Sequence, residues 1–527
     1  MQVPEVAPTS PSQTRWKRVL RYSAVVAIAS LLALCLFLIL NAHSPSAYFV
    51  VAAQASAVLA TLGAAAAVIA GARHFTLTRP EMRWAVLFLV LVSVAVFGAH
   101  LYVINSPPTT QCTNSTKLGC IMDEVFYVPA AQTLLSGNQC APYADNCNLE
   151  HPFLAKALIA AGTAVFGSND LGWRVFNALL GTLSIPLLFV LIYLLSGNRR
   201  LSYFSAFLFS VDTMFFVHSS AALIDIPSIF FSLLAFVLYF WRARFWRIDN
   251  VTASGAMLGL ALLSKETAVF AVAVLFTYQL IFAEGTLKHA FIETAKLLAV
   301  AALVFFAGLQ VYDTLFTSAT VPTFVQQVAF IFKYGSGLDC PPAALAVVPK
   351  CGMWVDSLFH AYITPLNWLT YYPPVSYFVT TVTTTVGSGP GATSSSFIGV
   401  GYYGVNNVIM LWAVLVWVPL AVYRLLRRRP EGEPVSRDDR TTLFLLVWLV
   451  WTYLPYIGLW LYGRVTYPFY ILPAVPALSA GAAYFSTREW FPRWLAVVYL
   501  LAALVWFVIY FPVKDFLPVI LRVWLGR

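Results

Sequence analysis

Residues 84–104, WAVLFLVLVSVAVFGAHLYVI, continue for a full membrane thickness without one Asp, Glu, Lys or Arg, and comparable stretches recur along the chain. Apolar runs at 22–41, 47–71, 172–195, 294–315, 398–423 and 441–462 each reach the ~17–25 residues that carry a helix across a bilayer core. Shorter runs at 201–217, 221–240, 251–264, 267–283, 465–485 and 494–511 bring the expectation to about thirteen transmembrane helices. With 60% hydrophobic and 10% charged residues among 527, a soluble globule is excluded, as are disordered, collagen-like and small disulfide-scaffold chains. The expected fold class is an all-α polytopic membrane protein.

The net charge of +10 would suggest a nucleic-acid partner in a soluble protein, but here its placement carries the information. Most Lys and Arg fall in 1–21, 72–83, 196–200, 241–250, 284–296, 424–440 and 486–493. By the positive-inside rule those segments are cytoplasmic, including the N-terminus with Arg15, Lys17, Arg18 and Arg21. The charge therefore reports orientation, and no nucleic-acid partner is implied. Two long extracytoplasmic loops remain, 105–171 and 316–397. Six of the seven cysteines lie in them as close pairs: Cys112 with Cys120, Cys140 with Cys147, Cys340 with Cys351. That distribution suits disulfides in an oxidising exterior, with adjacent pairing the simplest connectivity. Cys35 reads as packing within a helix. The first apolar run is too long for a removable signal peptide and is followed directly by another span.

The expected organisation is a disordered cytoplasmic tail over 1–21, two N-terminal transmembrane helices over 22–81, a membrane domain over 82–490, and a last helix with an outer C-terminus over 491–527. In the first outer loop, PFLAKALIAAGTAVF from Pro152 to Phe166 has proline at its first turn, is followed by Gly167, and is too short to span. With DEVFYVPAAQTLLSG, from Asp123 to Gly137, it predicts a pair of interfacial helices, the second started or kinked by Pro129. The second outer loop has a membrane-hugging aromatic run from Met353 to Phe378 and then a flexible stretch, TTVTTTVGSGPGATSSS. Asn114-Ser-Thr is a glycosylation sequon. No internal repeat of the kind common in secondary transporters is evident.

Several polar residues stand out against this background. Asp123 and Glu124 are adjacent carboxylates on the outer side; one could serve as general base, or both could be solvated or structural. Arg174, near the outer end of a span, needs compensation: headgroups, Asp170, or a lipid phosphate, for which a guanidinium fork is well matched. Lys265 and Glu266 interrupt an apolar stretch, either as an internal ion pair or as site residues. Arg464, at an outer turn, is a second phosphate ligand or an interfacial anchor, and Asp225 caps a helix or meets substrate. His151, Glu150 and Asp123 match no metal-ligand spacing, so no metal is implied. Neither a Gly-rich phosphate loop, a nucleophile elbow nor an HExxH helix occurs.

In order and spacing these segments resemble the polyprenyl-phosphate-dependent glycosyltransferases of the GT-C superfold, specifically the protein O-mannosyltransferases of glycosyltransferase family 39. DEVFY looks like that family's Asp-Glu motif, EHPFLAK (Glu150–Lys156) its HPPLAK element, and LGWRVFNALLG its arginine helix. LIDIPSIFF, GLALLSKETAVF, HAYITPLNW and GRVTYPFYILP are similar to later elements, so the likeness covers roughly 82–490. It implies the GT-C fold and inverting transfer of a sugar, usually mannose, from dolichyl or polyprenyl phosphate to a Ser or Thr hydroxyl at the outer face. It also implies roles: Asp123 as base, Glu124 orienting it, Arg174 on the donor phosphate with Lys265 and Arg464 as further ligands, and His151 and Tyr127 ordering the loop near substrate. The lipid-linked sugar is a substrate, and no cofactor is implied.

Departures are visible. The second outer loop is too short for a β-trefoil insert, Ser220 stands where an arginine is expected before Asp225, and Phe153 replaces a second proline. They point to a prokaryotic, archaeal-type member in a cell membrane. A GT-C transferase with a lipid or glycan acceptor is the alternative, and a transporter or flippase a second one.

Overall fold

A computed structural model of the chain describes residues 83–106, 120–136, 147–241, 248–282, 287–316, 324–337, 353–355, 361–370, 374–386, 393–427 and 435–512, with scattered positions between 19 and 59. The tail over 1–18, most of the runs 22–41 and 47–71, and Cys112, Cys140, Cys340, Cys351 and Asn114 lie outside the described residues. Cys120 and Cys147 are disulfide-bonded.

The described chain is mostly helical. Helix α1 (Arg83–Val103) turns Leu87, Val90, Leu91 and Val94 outward, an apolar face suited to lipid. The first long loop holds the two short helices expected of it, α2 (Glu124–Ser136) and α3 (Leu154–Phe166), and Pro129 lies within α2. They pack on each other, and α3 packs on α4 (Asp170–Ser196). Close approach there depends on glycine: a Cβ at Gly162 would sit 2.1 Å from the carbonyl oxygen of Gly172. Asn169 caps the start of α4 through the Gly172 N–H, and Gly197, with φ of 69°, ends it in the left-handed conformation.

Next come α5 (Arg199–Ser210) and α6 (Thr213–Ser219), bent by 63° at Asp212. The Asp212 carboxylate holds the bend by accepting from the N–H groups of Phe215, at 2.9 Å, and Asn407, at 3.1 Å. After α7 (Asp225–Trp241) and α8 (Asn250–Ser264), a single 3-10 turn over Glu266–Ala268 leads into α9 (Val269–Ile281). Helices α10 (Leu287–Phe316) and α11 (Phe324–Ser336) follow. The C-terminal part holds α12 (Val408–Leu426), α13 (Arg437–Leu461), a 3-10 turn at Pro468–Ala474 running into α14 (Val475–Ser486), and α15 (Arg493–Ile509).

Six described helices are long and apolar enough to cross a membrane, or seven if α5 and α6 form one broken span. The chain is an integral membrane protein. The shorter runs expected as spans are helical too, but α7, α8, α9 and α15 fall below that length. The all-α expectation needs correction in the second outer loop. Strands β1 (Met353–Val355) and β2 (Ala361–Ile363) pair, and β3 (Val375–Val386) and β4 (Thr393–Gly404) form a 12-residue antiparallel ribbon, Val375 opposite Gly404 and Val386 opposite Thr393. Thr and Val in β3, and Ile, Val and Tyr in β4, favour the extended pleat over a helix. The same ribbon divides the run 398–423, which is strand to Gly404 and helix only from Val408.

A large core lies among α4–α9 and α12–α14, and a second cluster, built on Ile121, Val128, Trp173, Phe216, Ile224 and Tyr402, sits beneath the outer loops. Because no room exists between α3 and α4, Gly162→Val is expected to destabilise by about 1–3 kcal/mol or more, read as a lower Tm of the purified protein in detergent. An unchanged Tm would contradict the close packing.

Candidate active site

Glu124, the first residue of α2, and Arg174, in the first turns of α4, are both fully buried. Their pairing is bidentate, Arg174 Nε donating to Oε1 at 2.7 Å and Nη2 to Oε2 at 2.8 Å. Arg174 Nη1 donates to the carbonyl oxygens of Ile104, at 2.8 Å, and Ser106, at 3.4 Å. The carboxylate also accepts the N–H groups of Ile121, at 2.8 Å, and Ala222, at 2.7 Å. A buried ion pair holds only when its remaining donors and acceptors are satisfied, and here they are. Arg174, expected on a donor phosphate, is committed here to Glu124 and backbone carbonyls, and Glu124, expected to orient Asp123, anchors the turn beside it.

The anchor fixes the residue beside it. Asp123 precedes α2, and its carbonyl accepts the N–H groups of Phe126, at 2.9 Å, and Tyr127, at 3.2 Å. Met122, just before it, has a φ of 53°, a backbone state costly for a side chain of that size and held by the surroundings. Among the described residues the Asp123 carboxylate has no hydrogen-bond or ion-pair partner. Burial raises its pKa above the ordinary carboxylate value, while the positive charges of Lys265 and then His151 pull it back.

The groups in this cluster come from several other segments. Lys265, following α8, donates from Nζ to Asp225 Oδ1 at 2.5 Å and lies 5.3 Å and 5.6 Å from the ring centres of Phe469 and Tyr470. Asp225 also meets His218 Nδ1 at 3.2 Å, and His218 Nε2 meets the Tyr377 hydroxyl at 3.1 Å. His151 Nδ1 lies 3.0 Å from Glu266 Oε2, with the rings of Tyr127 and Tyr334 edge-on at 6.0 Å and 6.4 Å. The expected Lys265–Glu266 ion pair is thus replaced by two crossed pairs, Lys265 with Asp225 and Glu266 with His151. His151 keeps Glu266 below the usual carboxylate range even though burial, the largest influence, works the other way. Arg464 has no ion-pair partner among the described residues, and its Nε is buried without a hydrogen-bond acceptor. Burial and the Asp123 charge raise the Tyr467 hydroxyl while the Arg464 charge lowers it, so the carboxylate and the guanidinium act on one ring.

Asp123, Lys265, Asp225, His151, Tyr127 and Arg464, singled out in the sequence, therefore converge, and Glu124 and Arg174 stand behind them. His218 and Tyr377 went unnoticed; the only signal was a histidine in the apolar FFVHSS segment seven residues before Asp225. Among the described residues no three His, Cys, Asp or Glu side chains gather as a metal site.

Residues 150–311, from the His151 loop through α10, match the family model described as dolichyl-phosphate-mannose-protein mannosyltransferase. Over that stretch, under a third of its length, the chain is similar to this family. Among curated relatives, the chain is 33% identical over 116 residues to a polyprenol-phosphate-mannose–protein mannosyltransferase of Mycobacterium tuberculosis, covering 22% of each protein. It is also 33% identical over 144 residues to an undecaprenyl phosphate-alpha-4-amino-4-deoxy-L-arabinose arabinosyl transferase of Pseudomonas fluorescens, 27% of this chain and 26% of that one. The matched stretches thus span about a quarter of those relatives' length. A structure of the Saccharomyces cerevisiae protein O-mannosyltransferase Pmt1-Pmt2 complex bound to the sugar donor aligns over 81% of this chain and 90% of that one, at 13% identity and a TM-score of 0.49.

The buried Glu124–Arg174 anchor makes a distinct prediction. Arg174→Leu leaves Glu124 buried and uncompensated, and should cost about 3–5 kcal/mol of stability, measured by thermal unfolding without any lipid-linked sugar. A wild-type Tm would return Arg174 to the list of substrate ligands.

Proposed function

We propose that the chain is an inverting glycosyltransferase moving a monosaccharide, mannose, from dolichyl or polyprenyl phosphate to a Ser or Thr hydroxyl of a protein at the extracytoplasmic face, with its N-terminus in the cytoplasm. The observation that carries this reading is the unpartnered Asp123 carboxylate, half-buried and surrounded by Lys265, His151 and Arg464. The family match and the mannosyltransferase relatives support the donor class, and the bias of Lys and Arg supports the orientation.

In this mechanism Asp123 takes the proton of the acceptor hydroxyl as its oxygen attacks the anomeric carbon. The bond from that carbon to the phosphate oxygen breaks with inversion, and its electron pair stays on the lipid phosphate. Arg464 and Lys265 are the cations for that growing charge, so the leaving group needs no general acid. Asp225, steadied by His218, positions Lys265, and Tyr377 steadies His218 in turn. Tyr127 and His151 border the acceptor side.

Asp123→Asn should abolish transfer from polyprenyl-phosphate mannose to a Ser/Thr peptide while Tm and donor binding stay near wild type; preserved turnover removes the base. Since the base works ionised and burial raises its pKa, kcat/KM in wild type should fall on acidification through a midpoint above the ~3.9 of ordinary Asp. A midpoint at or below that value would contradict the role. Arg464→Ala should raise the donor KM at least tenfold, about 1.4 kcal/mol, with a smaller change in the acceptor KM. Equal changes in both would argue against a phosphate contact.

A further inference from the structure

The transfer reaction uses one end of the bundle, yet a cavity of about 540 Å3 opens at the other. Leu194, on its wall, is twenty residues along α4 from Arg174, about 30 Å at helical rise. The remaining elements agree: Asn250 lies in the first turn of α8 and Lys265 just beyond its last, while Glu266 precedes α9 and Gln279 sits in its final turn.

Gln279 is the informative residue. Its side chain lines the cavity and is 7% exposed, and its Oε1 is buried with no hydrogen-bond partner. An amide left so in an apolar helix costs stability unless something in the cavity completes it. Around it Arg437 and Arg440 stand against Glu293, with His289 beside them, and the Arg440 guanidinium lies 5.5 Å from the Phe282 ring centre. The first turns of α8 and α13 also border the cavity, where Asp249 and Ser436 cap the N–H groups of Thr252 and Asp439. A phosphate ester bearing a hydroxyl fits this setting: guanidinium takes its charge, and Gln279 Oε1 accepts from a hydroxyl of a glycerol headgroup.

The surroundings favour a lipid over a soluble anion. Phe240, Val251 and Phe282 supply apolar wall. Leu280 and Ile281, next to Gln279, are 56% and 51% exposed, and Phe291 on α10 is 73% exposed, giving acyl chains an apolar surface next to the cavity. We infer that this cavity binds the headgroup of an anionic phospholipid from the leaflet opposite the transfer site, the cytoplasmic leaflet by the bias of Lys and Arg.

The test uses the full chain in zwitterionic phosphatidylcholine nanodiscs, titrated with phosphatidylglycerol and, separately, with inorganic phosphate, reading retained lipid by native mass spectrometry and Tm by scanning fluorimetry. Wild type is expected to retain phosphatidylglycerol saturably and gain Tm, with no response to inorganic phosphate. Arg440→Gln and Gln279→Leu should each weaken retention about tenfold, the loss of one hydrogen bond to a charged headgroup. Leucine at 279 removes an unpaired buried amide, so that variant should keep or raise its lipid-free Tm, and its loss of retention cannot be ascribed to unfolding. Wild-type retention in both variants overturns the site, and so does displacement of the lipid by inorganic phosphate.

Discussion

The bidentate contact between Glu124 and Arg174 is the constraint on which the outer half of this protein depends. It joins the residues just beyond α1, the turn into α2, the start of α4 and the turn before α7, all through hydrogen bonds at a fully buried pair. Carboxylate and guanidinium are each too costly to bury alone, so these segments have one arrangement that satisfies both. The chain gains from that cost a rigid origin for α2 beside a bilayer, where loops would otherwise wander.

What the anchor holds in place is the neighbour of one of its own members. Adjacent positions at the head of a helix point in different directions, so fixing Glu124 inward leaves Asp123 on the other side. Asp123 there faces the cations and tyrosines gathered from the ends of α3, α8 and the Pro468–Ala474 turn. Met122 and Asn148, the described non-glycine residues with positive φ, both lie in the loops that bring these groups together. Backbone strain of that kind is sustained because the surrounding contacts determine it. Charge pairing divides the cluster: Lys265 is restrained by Asp225 and His151 by Glu266, while Asp123 and Arg464 keep their charge unspent.

The membrane character was legible because the longer spans spell their own length, and the two short helices because Pro152 and Gly167 punctuate one and Gly137 the other. The site residues were legible as polar letters in an apolar text: Asp123, Lys265, Asp225 and Arg464 all interrupt long hydrophobic stretches. Their pairing was not. Sequence adjacency joins Lys265 to Glu266, but consecutive residues around a helix end diverge, and each meets a partner from another element. The partner of Arg174 was hidden for a related reason. A buried arginine announces that it needs an anion without saying which, and the carboxylate it meets lay fifty positions back, in an acid pair whose two members look interchangeable, with Asp170 nearer in sequence. The β3–β4 ribbon was missed because Thr, Ser and Gly in series read as flexible, although the β-branched content on both sides of a Gly-Pro-Gly centre carries the hairpin.

The account turns on which guanidinium meets the donor. An experimentally determined structure of the protein with bound polyprenyl phosphate settles it directly. The phosphate should lie against Arg464 and Lys265, within about one sugar's width of Asp123, and Arg174 should remain closed on Glu124. A phosphate held by Arg174, with Glu124 released, or one bound away from Asp123, would contradict the account.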